Sequence, residues 1–514
     1  MNKRRQLAIA VVCAGIAACS GSNAGSGSLP ANASFKEGSR LRAVYERIDG
    51  APPLFLNWYD THLDVDCTFI DVGRADGRLV CYPSDPVGAD HRLFAFETHA
   101  LFTDSACTQA VVDAGYVGSK ARFFASAPPF GAACGALVRL YRLGAPLPLE
   151  ANGLYSIVND GPCHPAATTE LDSYQALYTL GEEIPLEALV SGTYQHDAAA
   201  GRIVPLRIVG SDGAIQGETV TDAAPNGSAA WDNERDEMVS TSLRPGSRWL
   251  PTARYTTGVF SDAACSVVAA IGAACRVSAK EAFDWTTDAC GPAEPTRFYE
   301  LGAPVADQTS VYYQGTQADV CVPYDGGGSI ANPMVAAFSV GAVIPSTVFA
   351  EADEVHTGTG QIKVVQAGSA DAPAAASVGL FDSAHGVPCT FQRNLAAADG
   401  VVRCLPETTD LAGDNYADAN CTVPLYLGGS ESECLPLPKF TSLTEYRGTG
   451  DGTVPDSRRR IFPIGDRYTG NLYFKLVGID GCYDLGPSAG TPLYYIGSEV
   501  PAAEFAALDY VRPN

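Results

Sequence analysis

The sequence predicts an all-β protein built from three internal repeats, and three observations lead to this prediction. The 514 residues include 52 glycines and 34 prolines, which mark turns, and many tyrosine, valine and threonine residues, which favour strands. Long runs with the 3.6-residue period of an amphipathic helix are few. Short motifs also recur at a spacing close to 160 residues, and a fixed long spacing indicates internal repetition.

The clearest recurring motif has an aromatic residue, then an aspartate, then a cysteine three residues further on. Its copies read FTDSACT, FSDAACS and YADANCT. Their aspartates are 158 and 156 residues apart, at Asp104, Asp262 and Asp418. A second motif has nearly the same spacing and ends in Pro185, Pro345 and Pro501. The predicted repeats span residues 36–195, 196–355 and 356–514.

Each repeat contains a smaller module three times, with an aromatic strand, a polar turn and a strand led by a cysteine. In the first repeat the modules read NWYDTHLDVDCTF, LFTDSACTQAV and LYSIVNDGPCHPA. Nine modules average about 53 residues, close to the length of one four-stranded propeller blade. We therefore expect about three small antiparallel sheets in each repeat and a propeller-like assembly. The alternative is three consecutive β domains.

Residues 1–18 are predicted to be a signal peptide. Three cationic residues precede an apolar run of 12 residues, Leu7 to Ala18, which is too short to span a bilayer. Residues 19–35 begin with Cys19 and continue as a Gly/Ser-rich segment, which we expect to be a flexible tether. No later stretch has the roughly 18 uncharged apolar residues that a membrane helix needs.

The sequence Ile16-Ala17-Ala18-Cys19 resembles the lipobox of bacterial lipoproteins. The resemblance implies cleavage before Cys19 and acylation of this cysteine, and more than one acyl chain gives a stable anchor. It also implies the outer membrane, because Ser20 rather than an aspartate follows the lipid site. An ordinary secretory signal, with Cys19 incidental, is the alternative. Together the lipobox, tether and cysteine-containing β repeats resemble uncharacterised repeat lipoproteins of Gram-negative bacteria, which implies a place in the cell envelope and no particular activity.

The chain is acidic, with a net charge of −24. Such a surface repels nucleic acid and anionic lipid, so we expect no nucleic-acid partner and contact with the membrane only through the lipid anchor. The one basic run is Arg458-Arg459-Arg460, and we expect it to be a strand end paired with nearby acids. A protein or a glycan is the expected ligand.

Fourteen of the 16 cysteines follow Cys19, an even number that predicts disulfides in an exported chain. Two pairs flank segments with Asp-Gly shortly before the second cysteine, a hairpin signal that brings the thiols together: Cys67 with Cys81, and Cys389 with Cys404. The middle repeat has Trp249 in place of Cys404 and Met238 about where Cys389 should be. We expect these two apolar residues to fill the space of a disulfide.

The other cysteines have no hairpin signal. In the middle repeat the simplest pairing joins neighbours, Cys265 with Cys275 and Cys290 with Cys321, although four cysteines allow three connectivities. Correspondence between repeats extends this preference to Cys134 with Cys163 and to Cys421 with Cys434. Cys107 and Cys482 are then left without a neighbour. We expect these two to bond to each other across a closed ring, or to stay free and buried.

The sequence predicts no cofactor. The motif of Cys107 occurs in all three repeats, and three identical active sites in one chain are not expected, so its cysteines are interpreted as structural and its aspartates as turn caps. There is no HExxH, CxxC, P-loop or GxSxG motif. The absence of HExxH and CxxC argues against zinc, and a bound calcium ion is the alternative to no metal. The candidate calcium ligands lack the EF-hand spacing: Asp64 and Asp66, Asp325-Gly326-Gly327-Gly328, and Asp451-Gly452.

These features favour a non-enzymatic binding or scaffold lipoprotein, which uses loops on one face of the repeat assembly to hold a protein or a glycan. The alternative is a propeller-type glycan hydrolase or lyase. Such an enzyme needs two carboxylates about 5 to 10 Å apart, and adjacent acids occur at Glu182-Glu183 and Asp353-Glu354. Trp58, Tyr59 and Trp285 are candidate sugar-stacking residues, although core packing is the preferred interpretation of Trp58.

Overall fold

The computed structural model describes residues 35–71, 78–83, 94–113, 122–126, 139–147, 153–157, 162–166, 177–217, 220–221, 224–241, 247–252, 254–273, 279–285, 295–306, 311–314, 320–323, 335–370, 372, 375–391, 395–408, 415–428, 437–446, 457–475, 481–487 and 492–511. The predicted signal peptide and Cys19 lie outside these ranges. Regular structure within them consists of β-strands and short 3-10 helices, which confirms the all-β prediction. None of the described residues belongs to a helix able to span a membrane.

We keep the predicted ranges as names for the first, middle and third units. The first unit contains one described 3-10 helix, Leu186–Ala188, and thirteen strands: β1 (Phe35–Lys36), β2 (Leu41–Arg47), β3 (Leu54–Asp60), β4 (Val65–Asp71), β5 (Leu79–Pro83), β6 (Phe94–Phe102), β7 (Ala110–Asp113), β8 (Phe123–Ser126), β9 (Arg139–Leu147), β10 (Tyr155–Ser156), β11 (His164–Pro165), β12 (Leu177–Ile184) and β13 (Ser191–Gln195).

The described middle unit contains the 3-10 helix Ser346–Val348 and these strands: β14 (Ile203–Pro205), β15 (Arg207–Gly210), β16 (Ile215–Gln216), β17 (Val220–Thr221), β18 (Ala224–Ser228), β19 (Ala230–Asp232), β20 (Glu237–Ser240), β21 (Leu250–Pro251), β22 (Arg254–Phe260), β23 (Val268–Ala273), β24 (Glu281–Trp285), β25 (Pro295–Pro304), β26 (Tyr312–Gln314), β27 (Cys321–Pro323) and β28 (Val335–Ile344). The next strand, β29 (Asp353–Thr357), crosses into the third unit.

The described third unit contains the 3-10 helix Ala502–Glu504 and these strands: β30 (Ile362–Gly368), β31 (Ala376–Asp382), β32 (Val387–Thr390), β33 (Leu395–Ala397), β34 (Leu405–Pro406), β35 (Asn415–Tyr416), β36 (Leu425–Leu427), β37 (Phe440–Tyr446), β38 (Ser457–Tyr468), β39 (Asn471–Phe474), β40 (Tyr483–Pro487), β41 (Leu493–Ile496) and β42 (Asp509–Val511). The prolines of the second sequence motif immediately precede the three 3-10 helices.

Alternation of side chains explains how the strands build a core. Leu41, Ala43 and Tyr45 occupy every second position of β2, and all three join one apolar cluster with Trp58 of β3. Residues two apart on a strand face the same side of the sheet. These three residues therefore form the face of β2 that packs on Trp58, while Val44 and Glu46 of the same strand are also buried.

A buried aspartate marks the same place in each unit. Asp60 pairs in register with Leu41, Asp232 with Ile203, and Asp382 with Ile362. Each aspartate is fully buried and accepts a hydrogen bond from the backbone N–H group two residues ahead. The internal repeats of the sequence are therefore repeats of structure.

Strand pairing joins the three units into a ring. The first two described 3-10 helices are each followed by a strand that pairs with a strand near the start of the next unit, β13 with β15 and β29 with β30. In the same way β42 of the third unit pairs with β2 of the first, so that Val511 lies opposite Tyr45. The strand pairing therefore closes the chain of three units on itself, so the units are not three independent domains.

Apolar cores also cross the boundaries between units. Trp58 packs in one cluster with Ile208, Trp249 in a second with Ala367, and Ile48 in a third with Cys404. Burial of a large apolar side chain contributes about 1.5–3 kcal/mol. The contacts between units are therefore part of the hydrophobic core.

The sheets are less uniform than three small antiparallel sheets in each repeat. In the first unit, β6, β7, β12, β9 and β8 follow one another in a sheet that closes on itself through β6 and β8. In the middle unit β22, β23, β28, β25 and β24 close in the same way. The closing pairs, β6–β8 and β22–β24, are parallel, because a closed sheet with an odd number of strands cannot be antiparallel throughout.

Candidate functional site

The three aspartates of the recurring motif cap turns, as the sequence interpretation expected. Asp104 Oδ1 accepts hydrogen bonds from the backbone N–H groups of Thr108 (2.9 Å) and Gln109 (2.7 Å), and Oδ2 accepts one from the Thr108 hydroxyl (2.7 Å). Asp262 and Asp418 make the same three bonds. The Thr108 side-chain bond is the largest of the causes that lower the pKa of Asp104. These carboxylates are engaged in holding their own loops.

The cysteine of each turn forms a long-range disulfide inside its own unit. The pairs are Cys107–Cys163, Cys265–Cys321 and Cys421–Cys482, with sequence separations of 56, 56 and 61 residues. The first cysteine of each pair has a positive φ, near +50°. This left-handed conformation is costly for a residue other than glycine, so the disulfide and the capping aspartate together hold each turn in shape.

These disulfides correct the pairing of neighbours. Cys265 is not bonded to Cys275, nor Cys321 to Cys290, and Cys163 and Cys421 are likewise not bonded to Cys134 and Cys434. Cys107 and Cys482 neither bond to each other nor stay free. Strand order explains the error, because β10 lies between β6 and β11 and thereby carries Cys163 to the turn of Cys107. Cys134, Cys275, Cys290 and Cys434 lie outside the described residues.

The two hairpin disulfides form as their Asp-Gly signals predict, Cys67–Cys81 and Cys389–Cys404. In the middle unit the strand register shows that one of the two residues predicted to replace cysteines was wrong. Val239 lies opposite Ala230, the place that Cys389 has opposite Leu380, so Val239 and not Met238 replaces the cysteine. Val239 and Trp249 pack in one buried cluster, which fills the space of the missing disulfide.

All ten described cysteines are in disulfides. Disulfides persist in oxidising compartments, so the protein is extracytoplasmic. A catalytic role for any of these ten thiols is excluded, because a nucleophilic cysteine must be a free thiolate.

Exposed apolar side chains flank the long-range disulfides of the middle and third units. Val267 and Val320, which are 54 % and 43 % exposed, lie within two residues of the Cys265–Cys321 pair. Val423 and Tyr483, 41 % and 48 % exposed, lie similarly close to Cys421–Cys482. Tyr313 and Leu485 are exposed on the neighbouring strands. We call these six residues the capped ends.

The first unit builds the same turn with polar residues. Gln109 donates its backbone N–H to Asp104 as Val267 does to Asp262, and His164 follows Cys163 as Tyr483 follows Cys482. The turn therefore folds without an exposed valine or tyrosine next to its disulfide. The presence of such residues in the other two units needs a reason other than folding.

The candidate calcium residues do not form a metal site in the described part of the chain. Asp64 accepts a hydrogen bond from the Tyr59 hydroxyl and lies 3.1 Å from an Arg122 guanidinium nitrogen. Asp66 lies on the neighbouring strand β4. No group of three or more acidic, histidine or cysteine side chains suited to a metal occurs among the described residues. Asp325 to Gly328 and Asp451-Gly452 lie outside those residues.

The adjacent acids suggested as enzyme candidates lie on two strands. Asp353 and Glu354 follow one another on β29, so their side chains point to opposite faces. Glu182 and Glu183 lie at a register irregularity of β12, and both are exposed. Trp58 is buried and donates its indole N–H to Gln216, which leaves no face for a sugar. The side chain of Trp285 lies outside the described residues.

One residue of the basic run, Arg460, is paired with acids as expected. Arg460 lies 2.7 Å from Glu499 and 3.6 Å from Glu445. The run belongs to β38. Glu445 lies on the neighbouring strand β37, and Glu499 follows the other neighbouring strand, β41.

A buried pair of carboxylates, which the sequence analysis did not identify, lies in the middle unit. Glu237 on β20 and Glu281 on β24 are 8 % and 2 % exposed. Arg235 donates hydrogen bonds to both, and its guanidinium carbon lies 4.9 Å from the centre of the Phe349 ring. Burial, followed by the charge of Glu237, raises the pKa of Glu281 to about 7, against the opposing effect of Arg235.

The other units fill these three positions differently. Arg235 and Glu237 are the third and fifth residues after the buried Asp232. The corresponding residues are Leu63 and Val65 in the first unit, and His385 and Val387 in the third. The position of Glu281 is occupied by Phe123 in the first unit and by Phe440 in the third. In every unit the residue before it is an arginine or a lysine that donates a hydrogen bond to a backbone oxygen of the turn after the buried aspartate. The signal that could have revealed the acid pair was thus a comparison of the three repeats position by position.

The comparison with known protein families gives one match, to a family of unknown function, DUF7481, over residues 54–505. The chain belongs to this family. The DUF7481 region includes the three capped turns, the five described disulfides and the buried acid pair. No curated protein and no solved structure matches the chain.

Proposed function

We propose that this DUF7481 protein is a cell-envelope lipoprotein that serves as a non-enzymatic binding scaffold for a protein or a glycan. The observation that supports it is the composition of the capped ends. They present exposed valine, leucine and tyrosine side chains on turns that a disulfide and a capping aspartate fix. Rigid support limits the entropy lost on binding, and exposed apolar groups mark many interaction sites.

Tyrosine suits either kind of ligand. Tyr313 and Tyr483 each offer a flat apolar ring and a hydroxyl group, which can stack on a sugar or pack against a protein surface. The net charge of −24 disfavours nucleic acid and anionic polysaccharides that lack a bridging cation. The proposed ligand is therefore a neutral or basic glycan or a basic protein surface.

The proposed anchor is a lipid on Cys19, followed by the tether of residues 20–35, in the outer membrane. It rests on the lipobox-like sequence, and an extracytoplasmic location agrees with it. A flexible tether of this length would let the ring bind at a distance from the membrane.

The alternative, a glycan hydrolase or lyase, has less support. An acid with a raised pKa is the expected mark of a general acid, and Glu281 has one. However, Glu281 and Glu237 are almost completely buried, and Arg235 bonds both. A substrate could reach this pair only if the sheet that contains β20 separated from the closed sheet that contains β24.

Binding and turnover can be measured in one experiment. The soluble chain from residue 20 would be applied to immobilised bacterial polysaccharides and oligosaccharides, and both the bound protein and the released sugar would be measured. We expect binding without release. The variant V267Q/V423Q/Y483H takes the residues or residue type of the first unit, and we expect it to bind at least 10-fold more weakly.

The matched control is V348Q/V401Q, which changes two exposed valines outside the capped ends and should bind as the parent does. Release of sugar that the E281Q substitution abolishes would overturn the scaffold proposal in favour of the hydrolase. If no glycan binds, a photo-crosslinking residue at Val423 in the lipidated protein should capture an envelope protein that the same residue at Val401 does not. Capture at neither position would refute the proposal.

The anchor has its own test. A Gram-negative host expressing the full chain would be fed an alkyne analogue of palmitate, and labelled protein would be followed through membrane fractionation. We expect label in the outer-membrane fraction and none in a C19S variant. Equal labelling of C19S would refute lipidation at Cys19.

A further inference from the structure

The middle unit contains two sheets that meet at the buried acid pair. Glu237 begins β20 of the sheet β14-β19-β20-β21, whereas Glu281 begins β24 of the closed sheet. Arg235 lies in the turn between β19 and β20 and bonds both carboxylates. Lys280, beside Glu281, donates to the backbone carbonyl oxygens of Arg235 (2.6 Å) and Asp236 (3.1 Å). The contact between the sheets is therefore polar and charged at its centre.

We infer that Glu237 and Glu281 form a proton-sharing joint between the two sheets of the middle unit, closed while the pair holds one proton and loosened when both carboxyls are ionised. The corresponding contact in the first unit is apolar, formed by Leu63, Val65 and Phe123 in one buried cluster. An apolar contact cannot respond to pH. The substitution of all three positions by ionisable residues is what makes the middle unit different.

Hydrogen bonding shows why one proton fits. Among the described residues none donates a hydrogen bond to the buried Glu281 Oε2. A neutral carboxyl group would donate its O–H to the neighbouring carboxylate, so that a single proton satisfies both groups. The pair would then carry one negative charge, which the guanidinium of Arg235 balances. Full ionisation leaves two buried negative charges against that one guanidinium.

Other charged groups lie on the elements next to the pair. The Lys280 ammonium bonds backbone oxygens of the turn. On the neighbouring strand β25, Glu300 lies opposite Glu281 and adds a further acid near the pair. On the opposite side Arg254 of β22 is the parallel register partner. From the segment after β28 the contact to Arg235 is the uncharged Phe349 ring.

The direction of the pH effect follows from the pKa of Glu281. This pKa lies at about 7 in the folded protein and at the ordinary 4.5 in the unfolded chain. Between these values the folded state binds more protons, so the stabilisation is complete below about pH 4.5 and is lost as the pH rises through 7. The difference corresponds to at most about 300-fold in the equilibrium for closing the joint.

The experiment combines a carboxyl titration with hydrogen exchange. The soluble chain, labelled with ¹³C at the glutamate carboxyls, would be titrated by NMR from pH 4 to 9. We expect one glutamate to titrate near pH 7 and its signal to be absent in E281Q, which keeps the shape and stays neutral. Amide protection in β20 and β24, corrected for the intrinsic pH dependence of exchange, should fall at least 10-fold between pH 5.5 and 8.5.

Two comparisons keep the test decisive. Protection in β4 and β8, the first-unit counterparts, should change less than twofold over the same range. The triple variant R235L/E237V/E281F takes the residues of the first unit, so it supplies a folded reference without the joint if E281Q does not fold. The proposal is overturned if no glutamate titrates above pH 6, or if β24 loses no more protection than β8 or than β24 of the triple variant.

Discussion

The side-chain amide of Gln361 lies 3.2 and 3.1 Å from the two carboxylate oxygens of the buried Asp382, in a place where the other two units use arginine. In those units Arg40 bonds Asp60 and Arg202 bonds Asp232, each through two guanidinium nitrogens. All three side chains also donate to a backbone oxygen in or next to the 3-10 helix of their unit. In the third unit a neutral amide therefore takes the place that a guanidinium has in the other two.

The substitution Q361R should stabilise the protein. A charge-assisted, bidentate pair is stronger than the amide bond that it replaces, and Asp382 is fully buried. His385 Nδ1 also lies 2.8 Å from Asp382. We expect a gain of about 0.5–1.5 kcal/mol, measured by urea unfolding.

The reverse substitution is the control. R202Q gives the middle unit the residue of the third without a neighbouring histidine, since Arg235 occupies the position of His385. It should cost about 1–3 kcal/mol. If Q361R lowers stability while R202Q leaves it unchanged, the three contacts are not equivalent in energy and the prediction is wrong.

Removal of a long-range disulfide should cost more than removal of a hairpin disulfide. The Cys107–Cys163 bond closes a loop of 56 residues and the Cys67–Cys81 bond one of 14. On the chain-entropy account these are worth about 4 and about 3 kcal/mol. The double variants C107S/C163S and C67A/C81A would be compared by urea unfolding. Peptide mapping of the parent must also recover the Cys107–Cys163 bond, and a Cys134–Cys163 peptide would contradict the structure.

The architecture could be predicted from the sequence because it is repeated. Three copies of Asp104 and its cysteine indicated the repeat, and turn residues indicated strands. The hairpin disulfides were predictable for a local reason, since an Asp-Gly turn brings Cys67 and Cys81 together over 14 residues. Features that depend on nearby residues are thus within reach of sequence reasoning.

The long-range features could not be predicted from the sequence. The partner of Cys107 is 56 residues away, and its position depends on the order of β6, β10 and β11 in the sheet, which no local pattern specifies. A closed ring was expected, but the strands that close it, β42 and β2, could not be identified for the same reason. Glu237 and Glu281 lie 44 positions apart on different sheets, so neither residue marks the pair by itself.

Trp249 should be a major contributor to the stability of the middle unit. It is fully buried, packs with Val239 and Ala367, and donates its indole N–H to Gly368 at 3.0 Å. Truncation of a large buried side chain leaves a cavity, so W249A should cost about 3–5 kcal/mol in urea unfolding. The control W231A removes a partly exposed tryptophan that stacks on His196, and equal losses in the two variants would contradict this account.

The capping aspartates should make the protein sensitive to acid. The pKa values of Asp104, Asp262 and Asp418 are lowered by hydrogen bonds from their own turns. An acid with a lowered pKa contributes stability above its ordinary value of 3.8, and this contribution is lost as the pH falls through the folded-state pKa. The triple variant D104N/D262N/D418N should therefore be less stable than the parent at pH 7 and should lose less stability between pH 5 and 2.

Urea unfolding midpoints at intervals from pH 7 to pH 2 would measure both effects. The matched control is D49N/D353N/D466N, which changes the net charge equally at exposed positions outside the motif. Because charge repulsion at low pH is the same in both triple variants, any difference in slope reports the turns alone. Parallel curves for the two variants would show that the aspartate hydrogen bonds contribute nothing to acid sensitivity, whereas a shallower curve for the motif variant alone assigns that sensitivity to the three turns.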